Sequence, residues 1–196
     1  MVGGLRRWVV WGLCALVLVG FFQPALRLQV SILMLERQVD FSLARFFMPQ
    51  TGLGWYLWDA RELDFFTFVS DSDVISDVGW RVGISVGAYF FALACVLAVI
   101  FLWKKWRRGC LVLEGAALGL MAVAGPLMMS VPPLANEVLA EAVRSNVLLA
   151  LMALFVDIST IIQLELGWGY WLILLGLGAL FVTDGIFFLW ERGRSK

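Results

Sequence analysis

Four long apolar stretches constrain what this chain can fold into more than any other feature. They cover residues 8–22, 82–103, 110–131 and 166–190. A helix needs about 20 apolar residues to cross the hydrocarbon core of a bilayer, and each stretch is long enough or nearly so. With 62% apolar residues among 196 and a mean hydropathy of +0.89, the chain exceeds what a soluble domain of this size carries. The sequence predicts a single integral membrane domain with four spans.

The first apolar stretch is short and follows Arg6 and Arg7, which is also the pattern of a secretory signal peptide. No small-x-small cleavage site follows the stretch before Gln23 and Pro24. We therefore expect the first stretch to be an uncleaved membrane anchor.

Lysine and arginine lie where they predict the orientation of the spans. Basic residues close to span ends are retained on the cytoplasmic side of the membrane. There are three basic clusters: one before span one, one between spans two and three, and one after span four. In that order they are Arg6 and Arg7; Lys104, Lys105, Arg107 and Arg108; and Arg192, Arg194 and Lys196. The opposite segments, residues 23–81 and 132–165, are acidic. With four spans all the basic clusters share one side, so we expect both termini in the cytoplasm.

The second outer segment contains an ambiguous stretch, residues 147–164, which is almost entirely apolar. As a fifth span it would carry the last basic cluster outside, against the charge rule. Alternating residues at 158–168 favour a strand, and the residues before them extend a surface helix that begins after Pro132 and Pro133. A paired re-entrant hairpin is the alternative.

Residues 25–47 in the first outer segment fit two periods. Apolar and polar residues alternate along both halves, which predicts a hairpin turning near Glu36 and Arg37. A polar stripe at helical spacing fits an amphipathic helix instead: Arg27, Ser31, Gln38, Ser42 and Arg45. We favour strands, because two strands here and one before span four can pair into a small sheet that satisfies backbone groups.

Several functional classes are excluded by residue usage. The chain has no histidine, which removes the commonest haem and zinc ligand and the commonest general base. Cys14, Cys95 and Cys110 match no metal or redox spacing, and we expect them to be small buried apolar residues. Net charge is zero, so no nucleic-acid footprint is present. We predict no catalytic residue, no cofactor, no metal and no nucleic-acid partner.

Two carboxylates lie inside the predicted spans, Glu114 in span three and Asp184 in span four, one to two turns from their cytoplasmic ends. Intramembrane acids commonly act as proton or ion relays. At this depth, however, basic residues of the connector can reach them: Lys104, Lys105, Arg107 and Arg108. We predict structural ion pairing, with a transport role as the alternative.

Glycines at four-residue spacing let membrane helices approach closely. The candidates are Gly83 with Gly87 and Gly115 with Gly119, to which span four adds Gly176 and Gly178. We expect them to pack helices within the bundle, with a partner interface as the alternative.

Exposed aromatic residues on the first outer segment, Trp55, Tyr56 and Trp58, predict contact with a protein partner or with the outer leaflet.

The segment Gly52, Leu53, Gly54, Trp55 and Trp58, followed by the alternation at 158–168, resembles the claudin-like four-transmembrane architecture. The resemblance is one of topology over most of the chain, and the outer cysteine pair of that family is absent. It implies four spans with a long first outer segment and a strand running into the last span. Shared architecture does not carry function.

The expected fold class is membrane all-α, a four-helix transmembrane bundle with a small extracytoplasmic element of strands and an amphipathic helix. The expected function is that of a non-catalytic multi-pass protein, an accessory or structural subunit of a membrane or cell-envelope complex. Its expected partners are the lipid bilayer and other membrane subunits. The alternative is a small oligomeric transporter or channel.

Overall fold

The computed structural model describes residues 2–32, 35–42, 73–103, 105–145 and 162–194. This part of the chain is mostly helical. The helices are α1 (Val2–Phe22), α2 (Asp73–Leu102), α3 (Arg107–Met129), α4 (Val131–Ser145) and α5 (Trp168–Arg194). The strands are β1 (Leu26–Ile32), β2 (Leu35–Phe41) and β3 (Ile162–Leu166).

Three helical segments of the described chain are long and apolar enough to cross a membrane: Asp77–Leu102, Arg107–Glu137 and Trp168–Gly193. The apolar part of α1, Arg7–Phe22, is shorter. The outward faces of these helices carry large apolar side chains, among them Val19, Leu97, Val112 and Leu175. A soluble monomer rarely exposes so broad an apolar surface, so this is an integral membrane protein.

Helices α1, α2, α3 and α5 contact one another in a closed order. Helix α1 packs on α5 and α2, and α3 packs on α2 and α5. The interior between them is filled by small and branched side chains contributed by all four helices, including Val17, Ala92, Ala117 and Ile173. Close packing of such residues lets the helix backbones approach without leaving voids.

Glycine sets the separation of α1 and α5. A Cβ atom added to Gly20 of α1 would lie 2.9 Å from Cγ1 of Ile173. On the facing helix, a Cβ atom added to Gly176 would lie 2.5 Å from Cγ2 of Val17. Each glycine thus accepts a branched side chain of the other helix into the space that its own side chain would occupy.

Two tyrosine hydroxyls fasten neighbouring helices to each other. Tyr89 of α2 donates a hydrogen bond to the carbonyl oxygen of Phe21 in α1 at 3.0 Å, and the two rings meet edge to face. Tyr170 of α5 donates to the carbonyl oxygen of Met121 in α3 at 2.8 Å. Each bond satisfies a phenol that the apolar interior would otherwise leave unpaired.

The three strands form an antiparallel sheet in the order β2-β1-β3, which confirms the strand interpretation and the small sheet. Leu26 of β1 stands opposite Phe41 on one side and Leu166 on the other. The pairing continues beyond the sheet, because the Gly167 N–H donates to the Ala25 carbonyl oxygen at 2.9 Å and the Gly169 N–H to that of Pro24 at 2.9 Å. The sheet therefore leads directly into the α1–α5 helix pair.

The predicted position of the hairpin turn was wrong. The register places Glu36 opposite Ser31 and Arg37 opposite Val30, so both charged residues lie within β2. Glu36, Arg37 and Gln38 are three polar residues in a row, and charged residues suit strand positions as well as a turn when one sheet face is solvated. Asp40 forms an ion pair with Arg27 across the strands at 3.5 Å.

Helix α4 confirms the helix predicted in the second outer segment, but it begins at Val131, before the two prolines and not after them. Pro132 and Pro133 lie in its first turn, where a helix requires no backbone N–H donor. Glu137 is exposed and Asn136 is buried, and the helix contacts α2 and β3. Most of the ambiguous stretch 147–164 lies outside the described residues.

We expect Gly167→Ala to destabilise the protein. The added Cβ would lie 2.1 Å from the carbonyl oxygen of Pro24, so the backbone pairing between α1–β1 and β3–α5 must open. Overpacking of this kind costs about 1–3 kcal/mol. The measurement is unfolding in mixed detergent micelles as the denaturing detergent increases.

Gly12→Ala is the matched control, because nothing lies within 4 Å of a Cβ at that exposed position. It should unfold at the same detergent fraction as the wild type or a higher one. Equal stability of the two variants would contradict the close approach at Gly167.

Candidate functional site

Two carboxyl groups are buried inside the helix assembly, Glu114 on α3 and Asp184 on α5, and both side chains are 0% exposed. Glu114 lies about two turns after the start of α3, and Asp184 lies about three turns before the end of α5. Helices α3 and α5 are neighbours in which Gly115 faces Phe181 and Arg107 pairs with Glu191, so Glu114 and Asp184 lie at the same level. Each interacts electrostatically with the other.

Trp103 connects the end of α2 to this acidic pair. Its indole N–H donates to both oxygens of Asp184, at 3.1 Å to Oδ1 and 2.8 Å to Oδ2. An indole nitrogen is a donor only, so both oxygens of Asp184 act as acceptors toward Trp103. Helix α2 thus takes part in the site through one residue at its carboxyl end.

Glu114 has a different environment. Neither of its carboxyl oxygens has a hydrogen-bond partner of ordinary geometry within the described residues. Its neighbours act on it through charge, and Asp184 and Arg107 are the ionisable residues concerned. A fully buried carboxyl group without a donor is costly as an anion, which marks Glu114 as the unusual member of the pair.

Arg107 lies at the start of α3 and pairs with Glu191 of α5. Its guanidinium also lies 5.9 Å from the ring centroid of Phe188, and that of Arg108 lies at the same distance from this ring. Arg107 therefore divides its charge between a direct partner near the helix ends and the more deeply buried Glu114. Nε and Nη2 of Arg107 are buried without a hydrogen-bond partner in the described structure.

Three thiols are buried in the same interior as the acidic pair. Cys14 on α1, Cys95 on α2 and Cys110 on α3 are all free and buried, as the sequence predicted. Each of them also interacts electrostatically with Glu114, which the sequence did not predict. Every helix of the closed assembly thus contributes a polar or ionisable group to one region.

The other predicted pairing residues have separate positions. Lys105 is exposed in the connector after α2, and Arg108 is exposed beside Phe188. Lys104 lies outside the described residues, as do the aromatic residues Trp55, Tyr56 and Trp58. Of the basic set expected around the two carboxylates, Arg107 has a charge that acts on Glu114, and its ion pair is with Glu191.

The six candidate packing glycines divide into two groups. A Cβ on Gly115 would lie 3.1 Å from Phe181, and one on Gly178 would lie 3.9 Å from Leu118, so these glycines and Gly176 face neighbouring helices. A Cβ on the other three would meet nothing within 4 Å: Gly83, Gly87 and Gly119. The expected packing within the bundle is therefore made by the first group, and the second group faces open space.

Comparisons with protein-family models, curated proteins and solved structures gave no match. The claudin-like resemblance stays a prediction. Among the residues that the structure describes, no three or more cysteine, aspartate or glutamate side chains are arranged to hold a metal ion.

Sequence reasoning missed Trp103 as a partner of Asp184, since the two residues are 81 positions apart and tryptophan at a span end is expected at the headgroup level. It also missed Glu191 as the partner of Arg107. The sequence did contain one signal for the acidic pair. Two residues that lie equally far from the basic ends of their helices come to the same level when those helices pack side by side. The period of a single helix does not reveal which helices are neighbours.

We expect Trp103→Phe to destabilise the protein by about 1.5–3 kcal/mol, the contribution of a hydrogen bond to a charged group. Phenylalanine keeps the aromatic ring but removes the donor that Asp184 uses. Unfolding in mixed detergent micelles measures the effect. Trp8→Phe is the control, because Trp8 belongs to α1 at the same end of the assembly and is 73% exposed. Equal losses from both substitutions would show that the indole N–H does not stabilise Asp184.

Proposed function

We propose that this protein is a non-catalytic accessory or structural subunit of a membrane or cell-envelope complex. The observation that carries the proposal is the glycine face of α2, formed by Gly79, Gly83 and Gly87. All three glycines are exposed, and a Cβ on any of them would meet nothing within 4 Å among the described residues.

The glycine face is directed away from the helices that α2 already contacts. The inward side of α2 carries Ser85, Ala88 and Ala92, which are buried against its neighbours. On the outward side one glycine per helical turn leaves a shallow groove along the helix. Small residues at this spacing allow a second membrane helix to approach closely, and van der Waals contact along the groove supplies the attraction.

Large apolar side chains flank the groove on both sides. Trp80 and Ile84 lie on one side of it, and Val86 and Phe90 lie on the other, as the angular spacing of an α-helix requires. All four are exposed. A partner helix seated over the glycines would therefore be held between two ridges, so the proposed partner is an apolar transmembrane helix of another subunit.

We further propose a four-span bundle made by α1, α2, α3 and α5, with both termini in the cytoplasm. At about 1.5 Å per residue, the 21 residues of α1 extend about 31 Å, close to the roughly 30 Å of a bilayer core. Exposed basic residues at one end support the orientation, namely Arg7, Lys105, Arg108 and Arg192. The sheet lies at the opposite end.

The orientation is tested by introducing single cysteines at exposed positions of the two ends, because the three native cysteines are buried. We expect a membrane-impermeant thiol reagent to label Glu165→Cys in intact cells and to leave Gly193→Cys unlabelled. Gly193→Cys should become reactive when the membrane is opened with mild detergent. The reverse pattern would place the termini outside.

A second candidate function, a small oligomeric transporter or channel, is favoured by the burial of Glu114 and Asp184. Buried intramembrane acids are frequent in ion pathways. A pathway lined by these side chains would require several copies about a common axis, since their present positions are enclosed by neighbouring helices.

We expect the double substitution Gly83→Leu and Gly87→Leu to release the partner subunit. The two leucines would fill the groove and hold a facing helix away. Extraction from the native membrane in mild detergent, followed by native-gel mass analysis, measures co-migration with other chains. Gly12→Leu is the control, because Gly12 is an exposed helical glycine of α1 with nothing within 4 Å of its Cβ position.

Loss of the co-migrating chain in the double variant, and its retention in Gly12→Leu, is the result expected. A wild-type protein that migrates as a monomer would contradict the accessory role. A homo-oligomer without another chain would favour the transporter.

A further inference from the structure

We propose that Glu114 and Asp184 hold one proton between them and so form a proton-binding site inside the helix assembly. The proposal does not depend on the accessory role, since it concerns the interior of the chain and not its outward face. Protonated Glu114 would donate its O–H to the carboxylate of Asp184. Release of the proton would leave two buried carboxylates at the same level of neighbouring helices.

The first argument is that two acidic side chains are buried close to each other, where their charges would repel. Both side chains are 0% exposed, and the approach of Phe181 to Gly115 together with the Arg107–Glu191 ion pair places them at the same level of neighbouring helices. Two like charges so placed in a medium of low dielectric constant repel each other strongly. One shared proton replaces this repulsion with a hydrogen bond, which is the arrangement adopted by other paired carboxyl groups.

The second argument is that the two groups are not equivalent. Asp184 accepts the indole N–H of Trp103 on both oxygens, so these oxygens already act as acceptors. Glu114 has two buried oxygens with no donor to either of them in the described structure. The proton is therefore assigned to Glu114, whose O–H can donate to a carboxylate oxygen of Asp184.

The third argument is the balance of charge around the pair. The ionisable groups that act on Glu114 come from all the packed helices: Cys14 of α1, Cys95 of α2, Cys110 and Arg107 of α3, and Asp184 of α5. Arg107, the basic residue among these, forms its ion pair with Glu191. Its charge is thus shared with Glu191, so two full negative charges inside would not be fully balanced.

A proton fits this site better than a metal cation. Hard cations such as calcium take 6–8 oxygen ligands, and magnesium requires a near-octahedral set. No metal-holding group of three or more acids or thiols occurs in the part of the chain that the structure describes. A proton needs no more than one donor and one acceptor oxygen, which two adjacent carboxyl groups supply.

Infrared spectroscopy of the full chain in detergent micelles at neutral pH tests the proposal. A protonated carboxyl group has a carbonyl stretch that is separate from the amide bands and shifts when the exchangeable proton is replaced by deuterium. Exposed acids are ionised at this pH and do not contribute. We expect the wild type to show one such band, with the amplitude of a single carboxyl group.

Glu114→Gln should lose the band, and Asp184→Asn should shift or remove it because the acceptor has changed. Glu137→Gln, at an exposed glutamate on α4, is the matched control and should keep the band unchanged. A wild type without the band would overturn the proposal, and so would a band that is identical in the wild type and in Asp184→Asn. The wild-type spectrum and its deuterium shift decide the matter even where a substitution prevents folding.

Discussion

The close approach of α1 and α5 is the contact on which the rest of the structure depends. Gly20 and Gly176 let the two helices interlock with branched side chains, and the backbone pairing at Gly167 and Gly169 continues the contact into the sheet. A bilayer interior offers no water to satisfy backbone groups, so a chain that leaves its helices near the membrane must pair those groups at once. The ladder between Pro24–Ala25 and the residues before α5 does so.

The two ends of the assembly are stabilised by different physical means. At the sheet end, backbone hydrogen bonds connect one helix to another, and they depend little on which side chains are present. At the basic end, side chains take that role, since Trp103 holds α2 to α5 through Asp184 and Arg107 holds α3 to α5 through Glu191. Buried polar interactions of this kind are costly when incomplete, which gives them a large effect on which helices pair.

Helix α2 is the element that links interior and exterior. Its inward side supplies Ser85 and Tyr89, whose hydroxyls bind the carbonyl oxygens of Ala124 and Phe21 on two different helices. Its outward side presents three glycines to the membrane. The inward contacts fix the rotation of α2 and hence the direction in which the groove points, so the surface proposed for a partner is set by packing inside the chain.

The sequence by itself determined the apolar helices, the side on which basic residues gather, and the strand character of residues around 162–166. For residues 26–41 it favoured strands over an amphipathic helix without deciding between them. These are properties of composition and period within one segment. Only the tertiary structure decided the hairpin register, the partnership of Trp103 with Asp184, and which glycines face inward. Gly83 and Gly115 begin identical four-residue patterns, yet one faces open space and the other faces Phe181. A repeat defines a face of a helix, whereas the packing of neighbouring helices decides what that face contacts.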